Sequence, residues 1–349
     1  PNDYAYNPMN IRFGAVARHK GDIPVAVSGY YDIFTTVHKS DLVFMDSFLT
    51  CGPMITYYNK VSTGSLIEKQ RVHFSDFWEF SLALPPLEER KKIAEILTTQ
   101  DKAIELERQR IDEILKVKQF FLGKMFPKKG QAVPEIRFKG FTGVWEQRKL
   151  EDYLTVSTEK NTGNIYGRSD VLSVSGDYGI VNQIEFQGRS FAGASVLNYG
   201  VVQTGDVVYT KSPLNSNPYG IIKTNKGKPG IVSTLYAVYH PKENTFSDFI
   251  QVYFEQHARM NNYMHPLVNK GAKNDMKVSA ENALKGPVCF PSRVEQESIS
   301  AFFSVLDDLI TLHQRQPFLH SPPDISLIVQ LTPPFLYILL GTAQVGRYC

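Results

Sequence analysis

The chain has 349 residues, of which 42% are hydrophobic and 21% are charged, a composition that excludes fibrous and wholly disordered proteins. This length suits two domains that each bury a core of their own. The formal charge of +3 permits a nucleic-acid partner but does not argue for one, because many enzymes are as basic.

The three cysteines, Cys51, Cys289 and Cys349, are odd in number and far apart. Their spacing argues against a disulfide framework and against a zinc site made of thiolates. The first residues show no basic-then-apolar signal segment, so we expect a cytoplasmic location.

The first part of the chain, residues 1–84, predicts strands and loops with one helical patch. Residues 88–125 then predict a long helix, because they contain no proline and a single glycine, Gly123. At 1.5 Å per residue such a helix would span roughly 57 Å. Mostly apolar residues follow a 4-3 pattern along it, which is typical of a coiled-coil seam with polar interruptions. The seam residues predicted to contact a partner helix are Ile93, Leu97, Ile104, Ile111, Ile114 and Phe121.

A short linker, Lys128-Lys-Gly130, precedes a second region rich in short apolar runs. Strands are predicted at 171–174, 207–210, 220–223 and 231–239, because glycine and proline separate these runs. Ser247 is predicted to cap the N-terminus of a helix that runs to about residue 260.

Residues 291–316 repeat residues 85–110 at an offset of 206 without a gap. The repeat predicts a second long helix from about Glu295, with seam residues Ile299, Phe303, Leu306 and Ile310. Upstream, the same offset places Gly14 on Gly220 and Val72 on Val278, and Tyr31 falls on Tyr236 after a slip of one residue. Two copies of a whole domain are therefore predicted, each followed by a helix.

Residues 317–349 do not continue the repeat. They hold five prolines and two charged residues, and no helical period survives. We interpret them as sequence that does not belong to the fold and expect them to be disordered. The alternative is a membrane anchor, but Pro333-Pro334 interrupts it and its apolar runs are far shorter than the ~20 residues that a spanning helix needs.

The chain contains no HExxH, GxxxxGK[ST], GxSxG or strand-linked GxGxxG motif, and its eight histidines are scattered. Phe191-Ala-Gly-Ala-Ser195 faintly resembles the FxGxG turn that holds S-adenosylmethionine, and Thr332-Pro-Pro-Phe335 and Asn217-Pro-Tyr219 faintly resemble the Pro-Pro-aromatic motif of methyltransferases. A real site needs a final glycine where Ser195 stands, because the backbone must approach the cofactor. We therefore predict neither a catalytic site nor a metal site.

Basic and amide side chains in the loops of the second region are the better functional candidates. Lysine and arginine can contact DNA phosphates or guanine, and asparagine can read adenine. The alternative for each residue is ordinary solvated loop charge. The predicted DNA-binding residues are Arg168, Lys211, Ser212, Asn215, Asn217, Lys223, Lys226, Lys270, Lys273, Asn274 and Lys277.

Three strings together resemble a known family. Leu84-Pro-Pro-Leu-Glu-Glu-Arg90 and Phe290-Pro-Ser-Arg-Val-Glu-Gln296 look like two copies of one helix entry, and Ile136-Arg-Phe-Lys-Gly-Phe141 with Trp145 looks like the opening of a target recognition domain. Over roughly residues 4–316 the chain resembles the DNA specificity subunit of type I restriction-modification systems. The double occurrence in a constant order makes the resemblance specific.

The resemblance implies an α+β fold in which two similar mixed α/β target recognition domains alternate with two long helices that pair as an antiparallel coiled coil. Each domain would read half of a split sequence in double-stranded DNA, and the helices would set the gap. Modification subunits would supply methyl transfer with S-adenosylmethionine, and restriction subunits would supply translocation and cleavage with ATP and Mg. The subunit itself would catalyse nothing, hold no cofactor and contact no membrane.

The same resemblance predicts the domain limits. Residues 1–84 would be a partial first recognition domain, because the offset places its beginning before Pro1. Residues 85–126 would be the first spacer helix, 127–290 the second recognition domain, 291–316 a truncated second spacer helix, and 317–349 an aberrant tail. The alternatives are a helical adaptor that binds no DNA, an inactive or phase-variable fragment of such a subunit, or a self-contained methyltransferase.

Overall fold

In the computed structural model, which describes residues 1–66, 70–193, 195–211, 217–268 and 278–315, the chain divides within its longest helix into two units. The first unit is residues 1–108 and the second begins at residue 109. Each unit has a buried apolar core of its own. The aberrant tail predicted at 317–349 lies outside the described residues, and the predicted domain limits stay predictions.

The first unit is a three-stranded antiparallel sheet covered by helices. The central strand β1 (Tyr4–Tyr6) pairs with β2 (Val16–Arg18) on one side and with β3 (Asp32–Phe34) on the other. The sheet is followed by α1 (Leu42–Phe48), α2 (Gly52–Val61), α3 (Phe74–Trp78) and the first part of α4 (Leu87–Lys124). Tyr4 and Tyr6 alternate with Ala5 so that both rings enter the core, where the ring of Tyr6 stacks on Phe77 at 4.9 Å.

The second unit contains ten strands and four further helices among the residues that the structure describes. The strands are β4 (Glu146–Lys149), β5 (Leu154–Val156), β6 (Leu172–Ser175), β7 (Gly179–Asn182), β8 (Gly200–Val202), β9 (Val207–Thr210), β10 (Ile222–Thr224), β11 (Gly230–Val232), β12 (Tyr236–Pro241) and β13 (Pro287–Phe290). The helices are α5 (Gln183–Gln187), α6 (Ser247–Glu255), α7 (His257–Met264) and α8 (Arg293–Arg315).

The largest sheet of the second unit has the strand order β10-β9-β12-β5, with every neighbouring pair antiparallel. Three two-stranded sheets, β11-β8, β6-β7 and β13-β4, accompany it. All residues of β9 are buried, so this strand reads as a continuous apolar run rather than an alternating one. A separate apolar cluster, to which Val202, Val208, Val232 and Val238 contribute, joins strands β8, β9, β11 and β12.

The internal repeat is visible in the two sheets. β1 lies between β2 and β3 as β9 lies between β10 and β12. Tyr6 pairs with Val16 and Asp32, and Tyr209 pairs with Ile222 and Ala237, so the register is also the same. Gly14 and Gly220 adopt the left-handed conformation at equivalent turns, with φ of 85° and 81°. The sequence repeat therefore corresponds to a repeated three-stranded core.

Three details of the predicted elements are wrong. The one helical patch expected in residues 1–84 is three helices, α1, α2 and α3. The single strand expected at 231–239 is two strands, β11 and β12, because the chain turns at Ser233, whose carbonyl accepts a hydrogen bond from the Tyr236 amide at 3.0 Å. Ser247 is the first helical residue rather than the N-cap, which is Phe246, and the helix breaks at Gln256, whose backbone is extended.

The predicted long helices form close to their expected limits. Along α4 the seam residues Ile93, Leu97, Ile104, Ile111 and Ile114 are all partly buried and Phe121 is buried, and in α8 the seam residues Ile299, Phe303 and Leu306 are buried while Ile310 is partly buried. In the second unit the two helices touch, since the ring of Phe121 lies 4.9 Å from that of Phe302. An antiparallel coiled coil over the whole helices stays a prediction.

The C-terminal end of α4 is built into the core of the second unit. Phe121, Leu122, Met125 and Phe126 are buried in one cluster with α6 and α8. Arg259 lies over the ring of Phe126 at 4.4 Å and donates to the carbonyl oxygen of Leu122 at 3.1 Å, near the helix end where carbonyls lack helical partners.

One charge is buried at this junction. Lys118 of α4 is 5% exposed, and its ammonium donates to the carboxylates of Glu255 in α6 and Asp307 in α8. Burial acts to lower the pKa of Lys118, but the two carboxylates outweigh it, so the pKa is raised and the side chain is charged at neutral pH. This lysine sits at a seam position, where a polar group specifies how helices align.

We expect Lys118→Met to destabilise the second unit by about 3–5 kcal/mol, because it leaves two carboxylates at the junction without their cation. Lys116→Ala, at an exposed position of the same helix, is the matched control and should change stability by less than about 0.5 kcal/mol. Urea unfolding followed by the far-ultraviolet signal measures both. Equal stability of the two variants would contradict a structural role for the buried charge.

We expect Gly220→Ala to be more destabilising than Gly205→Ala, although both glycines have a left-handed backbone. A Cβ at Gly220 would collide with the carbonyl oxygen of Thr210, whereas a Cβ at Gly205 would meet nothing within 4 Å. Gly205→Ala should cost about 1–2 kcal/mol of conformational strain, and Gly220→Ala should cost that and the collision. The comparison of their urea midpoints checks this order.

Candidate nucleic-acid interface

Lys211 follows directly after β9 and is half-buried at the end of that strand. Its ammonium donates to the carbonyl oxygen of Thr234, which lies just beyond β11, at 2.8 Å. The side chain is therefore oriented by backbone from a neighbouring strand connection. An ammonium has three donors, so this bond leaves donors for another acceptor.

Lys160 lies near Lys211. The backbone of Lys160 forms an isolated bridge with Gly200 of β8, and the Lys160 side chain is exposed. Burial lowers the pKa of Lys211, the charge of Lys160 lowers it further, and the carboxylate of Glu281 opposes them. We call Lys160 and Lys211 the basic pair. Two ammonium groups that repel one another at a surface form a natural anion site, because a phosphate relieves the repulsion.

A tight turn lies beside the basic pair. The Gly220 amide donates to the carbonyl oxygen of Asn217 at 3.0 Å, and Pro218 occupies the position where proline favours such a turn. The Tyr209 hydroxyl donates to the carbonyl oxygen of Tyr219 at 2.8 Å and ties the turn to β9. Asn217 is half-buried and already engaged in interactions of its own. The turn fixes the chain immediately after the loop that begins at Lys211.

Arg168 lies at the other end of β11. Arg168 is close in sequence to Val171, and Val171 bridges to Ile231 within β11. Lys211 instead contacts Thr234, which lies beyond the C-terminal end of β11. Its guanidinium donates to the carbonyl oxygens of Gly193 at 3.1 Å and Ala192 at 2.8 Å. Arg168 therefore holds the backbone before residue 194 in place, and Arg168 lies away from the basic pair.

Lys226 is also separated from the basic pair. β10 runs antiparallel to β9, with Thr224 beside Val207, so Lys226 lies beyond the opposite end of the sheet from Lys211. Its ammonium lies 3.3 Å from the carboxylate of Asp248, and the pair is partly exposed. Such an exposed ion pair contributes about 0–1 kcal/mol to stability and leaves the lysine free to exchange partners.

Lys223 does not fit the predicted role. It lies within β10, is 8% exposed, and burial lowers its pKa while the carboxylates of Glu255 and Asp307 act to raise it. A side chain this buried does not reach a DNA phosphate, so its place is with the charges around Lys118. The sequence could not reveal this burial, because a lysine in a strand gives the same local pattern whether its side chain faces the core or the solvent.

Six predicted DNA contacts lie outside the described residues: Ser212, Asn215, Lys270, Lys273, Asn274 and Lys277. Both stretches that hold them border described parts of the second unit, at Lys211 and at Val278. Their roles stay predictions.

The sequence reasoning missed one basic group for this surface, Lys160. Its sequence signal is a Lys-Asn-Thr-Gly-Asn run shortly after β5, where basic and amide groups stand close together. Arg189 lies over the ring of Phe191 at 4.7 Å, and that ring is largely exposed. An exposed arginine–aromatic pair can stack on a base as well as contact a phosphate.

Within residues 1–66, 70–193, 195–211, 217–268 and 278–315, no three histidine, cysteine, aspartate or glutamate side chains converge as metal ligands. The described helices include none with the length and apolar character to cross a lipid bilayer.

The chain is similar to known proteins in part of its sequence and in its fold. Residues 19–116 match the family model of the type I restriction modification DNA specificity domain. No curated protein matches the chain. The match includes β3, α1 to α3 and most of α4.

Two solved structures share the fold. One, which concerns complex assembly and conformational transition of the type I restriction-modification system, has a TM-score of 0.52 at 14% identity and covers 90% of this chain and 76% of its own. The other is the S subunit of a type I restriction-modification system from M. genitalium, with a TM-score of 0.51 at 12% identity over 94% of this chain and 80% of its own. Both confirm the predicted mixture of sheets and long helices.

We expect Lys211→Arg to flatten the pH dependence of DNA binding. Raising the pH through the lowered pKa of Lys211 removes its charge, whereas arginine stays charged. As the pH rises toward the ordinary lysine pKa of about 10.4, the wild-type affinity should therefore fall earlier and more steeply than that of the variant. Fluorescence anisotropy with a labelled duplex measures both, with Lys149→Arg on β4 as the control. Identical profiles for all three proteins would remove Lys211 from the interface.

Proposed function

We propose that this chain, whose residues 19–116 match the type I restriction modification DNA specificity domain, is the DNA-recognition subunit of a type I restriction-modification complex. The observation that carries the proposal is the duplicated architecture. Two sheets of the same strand order and register are each followed by a long helix that begins at equivalent residues, Leu87 and Arg293. A protein that reads a divided site needs two similar modules on stiff spacers.

Each module would bind one half of a bipartite target in double-stranded DNA. In the second unit the basic pair would hold phosphates, which positions the duplex but carries no sequence information. The predicted base contacts would come from the loops at 212–217 and 270–277, whose amide and basic side chains match the edges of adenine and guanine. Two such sites joined in one chain gain affinity through their effective concentration.

The long helices would recruit the catalytic partners. Their seams combine apolar residues with polar interruptions, as helices that dock on other helices do. Modification subunits would bring S-adenosylmethionine and methylate the DNA, and a restriction subunit would bring ATP and Mg. The chain itself would then be no enzyme, and recognition would be its entire role in the complex.

The basic pair generates a direct prediction for DNA binding. Lys160→Ala with Lys211→Ala should weaken binding by a similar factor for every duplex sequence, because phosphate contacts are not sequence-specific. The slope of log affinity against log salt should fall by about 1 for each lysine removed. Lys149→Ala, an exposed lysine on β4, should leave the slope unchanged. Unaltered binding by the double variant would place the DNA elsewhere.

The function itself is tested by co-expression of the chain with the modification subunit of its genome, followed by mapping of methylated adenines. A split motif with a constant gap is expected. If a full-length homologue methylates DNA in the same assay and this chain does not, the chain is an inactive or regulatory fragment. Binding to the modification subunit without binding to DNA would instead identify a helical adaptor, and binding of S-adenosylmethionine by the chain alone would identify a methyltransferase.

A further inference from the structure

The connection between β1 and β2 in the first unit is equivalent to the connection between β9 and β10 in the second. In the first unit the Asn7 amide donates to the carbonyl oxygen of Ala15 at 3.1 Å, and in the second the Thr210 amide donates to that of Ile221 at 3.0 Å. Both connections end in a left-handed glycine turn. Residues 8–13 therefore leave the first sheet at the end where the basic pair lies in the second.

Phe13 is an exposed aromatic side chain of this connection. Its ring is 71% exposed, although Ile11 and Arg12 beside it are buried. The guanidinium carbon of Arg12 lies 4.9 Å from the centroid of the Phe13 ring. The cation therefore backs one face of the ring and leaves the rest in solvent. A rigid aromatic ring held in this way is suited to contact with another molecule, because covering it removes a large apolar area from water.

Arg12 is held by a second segment of the same unit. Its guanidinium donates to the side-chain oxygen of Gln70. The backbones of the two segments are also joined, since the Val72 amide donates to the carbonyl oxygen of Pro8 at 3.0 Å. Phe13 and Gln70, which are distant in sequence, therefore flank one guanidinium at one surface.

Gln70 brings hydrogen-bond donors to this surface. Its side chain is partly buried, and its oxygen is engaged by Arg12. The nitrogen of an amide side chain has two donors, and no acceptor among the described residues binds the nitrogen of Gln70. The surface therefore combines an apolar ring with a neighbouring donor.

Thymine is the base whose edge matches this combination. In the major groove thymine presents a C5-methyl group beside the O4 acceptor, whereas adenine and cytosine present a donor, and guanine presents acceptors without a methyl group. A ring can contact the methyl group while an amide donates to O4. Insertion of the Phe13 ring between base pairs is not expected, because it needs both ring faces and Arg12 covers one.

We propose that Phe13 and Gln70 form a contact that reads thymine in the half-site of the first unit. Phe13 would touch the C5-methyl group, the Gln70 amide nitrogen would donate to O4, and Arg12 would position both side chains without touching the DNA. The proposal rests on the proposed function, because it requires that the chain binds duplex DNA. The equivalent end of the sheet would then face DNA in both units.

The charges around this contact are mixed. Arg71 is exposed and stands at the offset of 206 from Lys277, one of the predicted DNA contacts, so it can bind a neighbouring phosphate. At the same end of the sheet, burial and the carboxylates of Asp32 and Asp76 raise the pKa of the Tyr6 hydroxyl. This mixture favours recognition of one base edge over a contact that depends on charge alone.

Selection from a pool of randomised duplexes tests the contact. The full chain, purified with the modification subunit of its genome, is mixed with the pool, and the bound duplexes are sequenced. The wild type should enrich a split motif that contains a thymine in one half. Phe13→Ala should lose the preference at that position and keep the gap and the other half. Phe13→Tyr keeps the ring and should enrich the wild-type motif.

Two further variants and a modified duplex make the test specific. Gln70→Glu removes the donors but keeps a partner for Arg12, and it should lose the preference for the same thymine. Replacing that thymine by uracil removes only the methyl group, so it should weaken wild-type binding about fourfold and Phe13→Ala binding less than about twofold. Val37, 92% exposed, follows β3 at the opposite end of the sheet, so Val37→Ala is the control and should keep the motif.

An unchanged motif for Phe13→Ala would overturn the proposal and leave the proposed function intact. Loss of preference at a G·C position would overturn the assignment of thymine. If the wild-type chain enriched no motif, the proposed function would fail and this contact with it.

Discussion

The second unit is organised around the burial of one lysine charge. Lys118 of α4 forms ion pairs with Glu255 of α6 and Asp307 of α8. Both pairs form together only when the three helices pack in one fixed arrangement. The apolar residues that follow on α4, from Phe121 to Phe126, then enter the same core, and Arg259 closes the helix end. Apolar packing alone tolerates sliding of one helix along another, whereas a buried cation does not, because any shift leaves a charge without a partner. The junction therefore fixes the C-terminal part of α4 in the core of the second unit.

The same three-stranded core occurs in both units, but different elements pack against it in each. In both units a left-handed glycine turn, a central strand with buried tyrosine and two antiparallel neighbours recur in the same register. In the second unit a further layer, formed by β8 and β11, covers one face of that core; in the first unit the corresponding side chains lie in solvent. The recurring part is therefore the three-stranded core, and the side chains packed on it differ between the two units.

The distribution of basic side chains is a consequence of strand direction. Lys211, Lys223 and Lys226 stand close together in sequence, yet antiparallel pairing sends the first and the last to opposite ends of the sheet and buries the second within it. The bridge from Lys160 to Gly200, together with the pairing of β8 with β11, brings Lys160, distant in sequence, near Lys211. The basic pair thus lies at one end of the sheet, where β9 ends. This position agrees with the general placement of binding groups on loops that a rigid sheet supports.

The sequence alone determined the features that depend on local or periodic patterns. The offset of 206 residues predicted the duplicated domain, the 4-3 pattern predicted the partly buried face of α4, and the pairing of Gly14 with Gly220 predicted equivalent turns, because a left-handed backbone is a local property. It also supported a family resemblance that agrees with the specificity-domain match over residues 19–116, and it predicted the mixed fold that the two solved structures share. Only the tertiary structure decided that residues 231–239 divide between two sheets, that Lys223 is buried, and that Lys160 joins Lys211. Each of these depends on which distant strands pair and in which register, and such pairings leave no periodic trace in a single sequence.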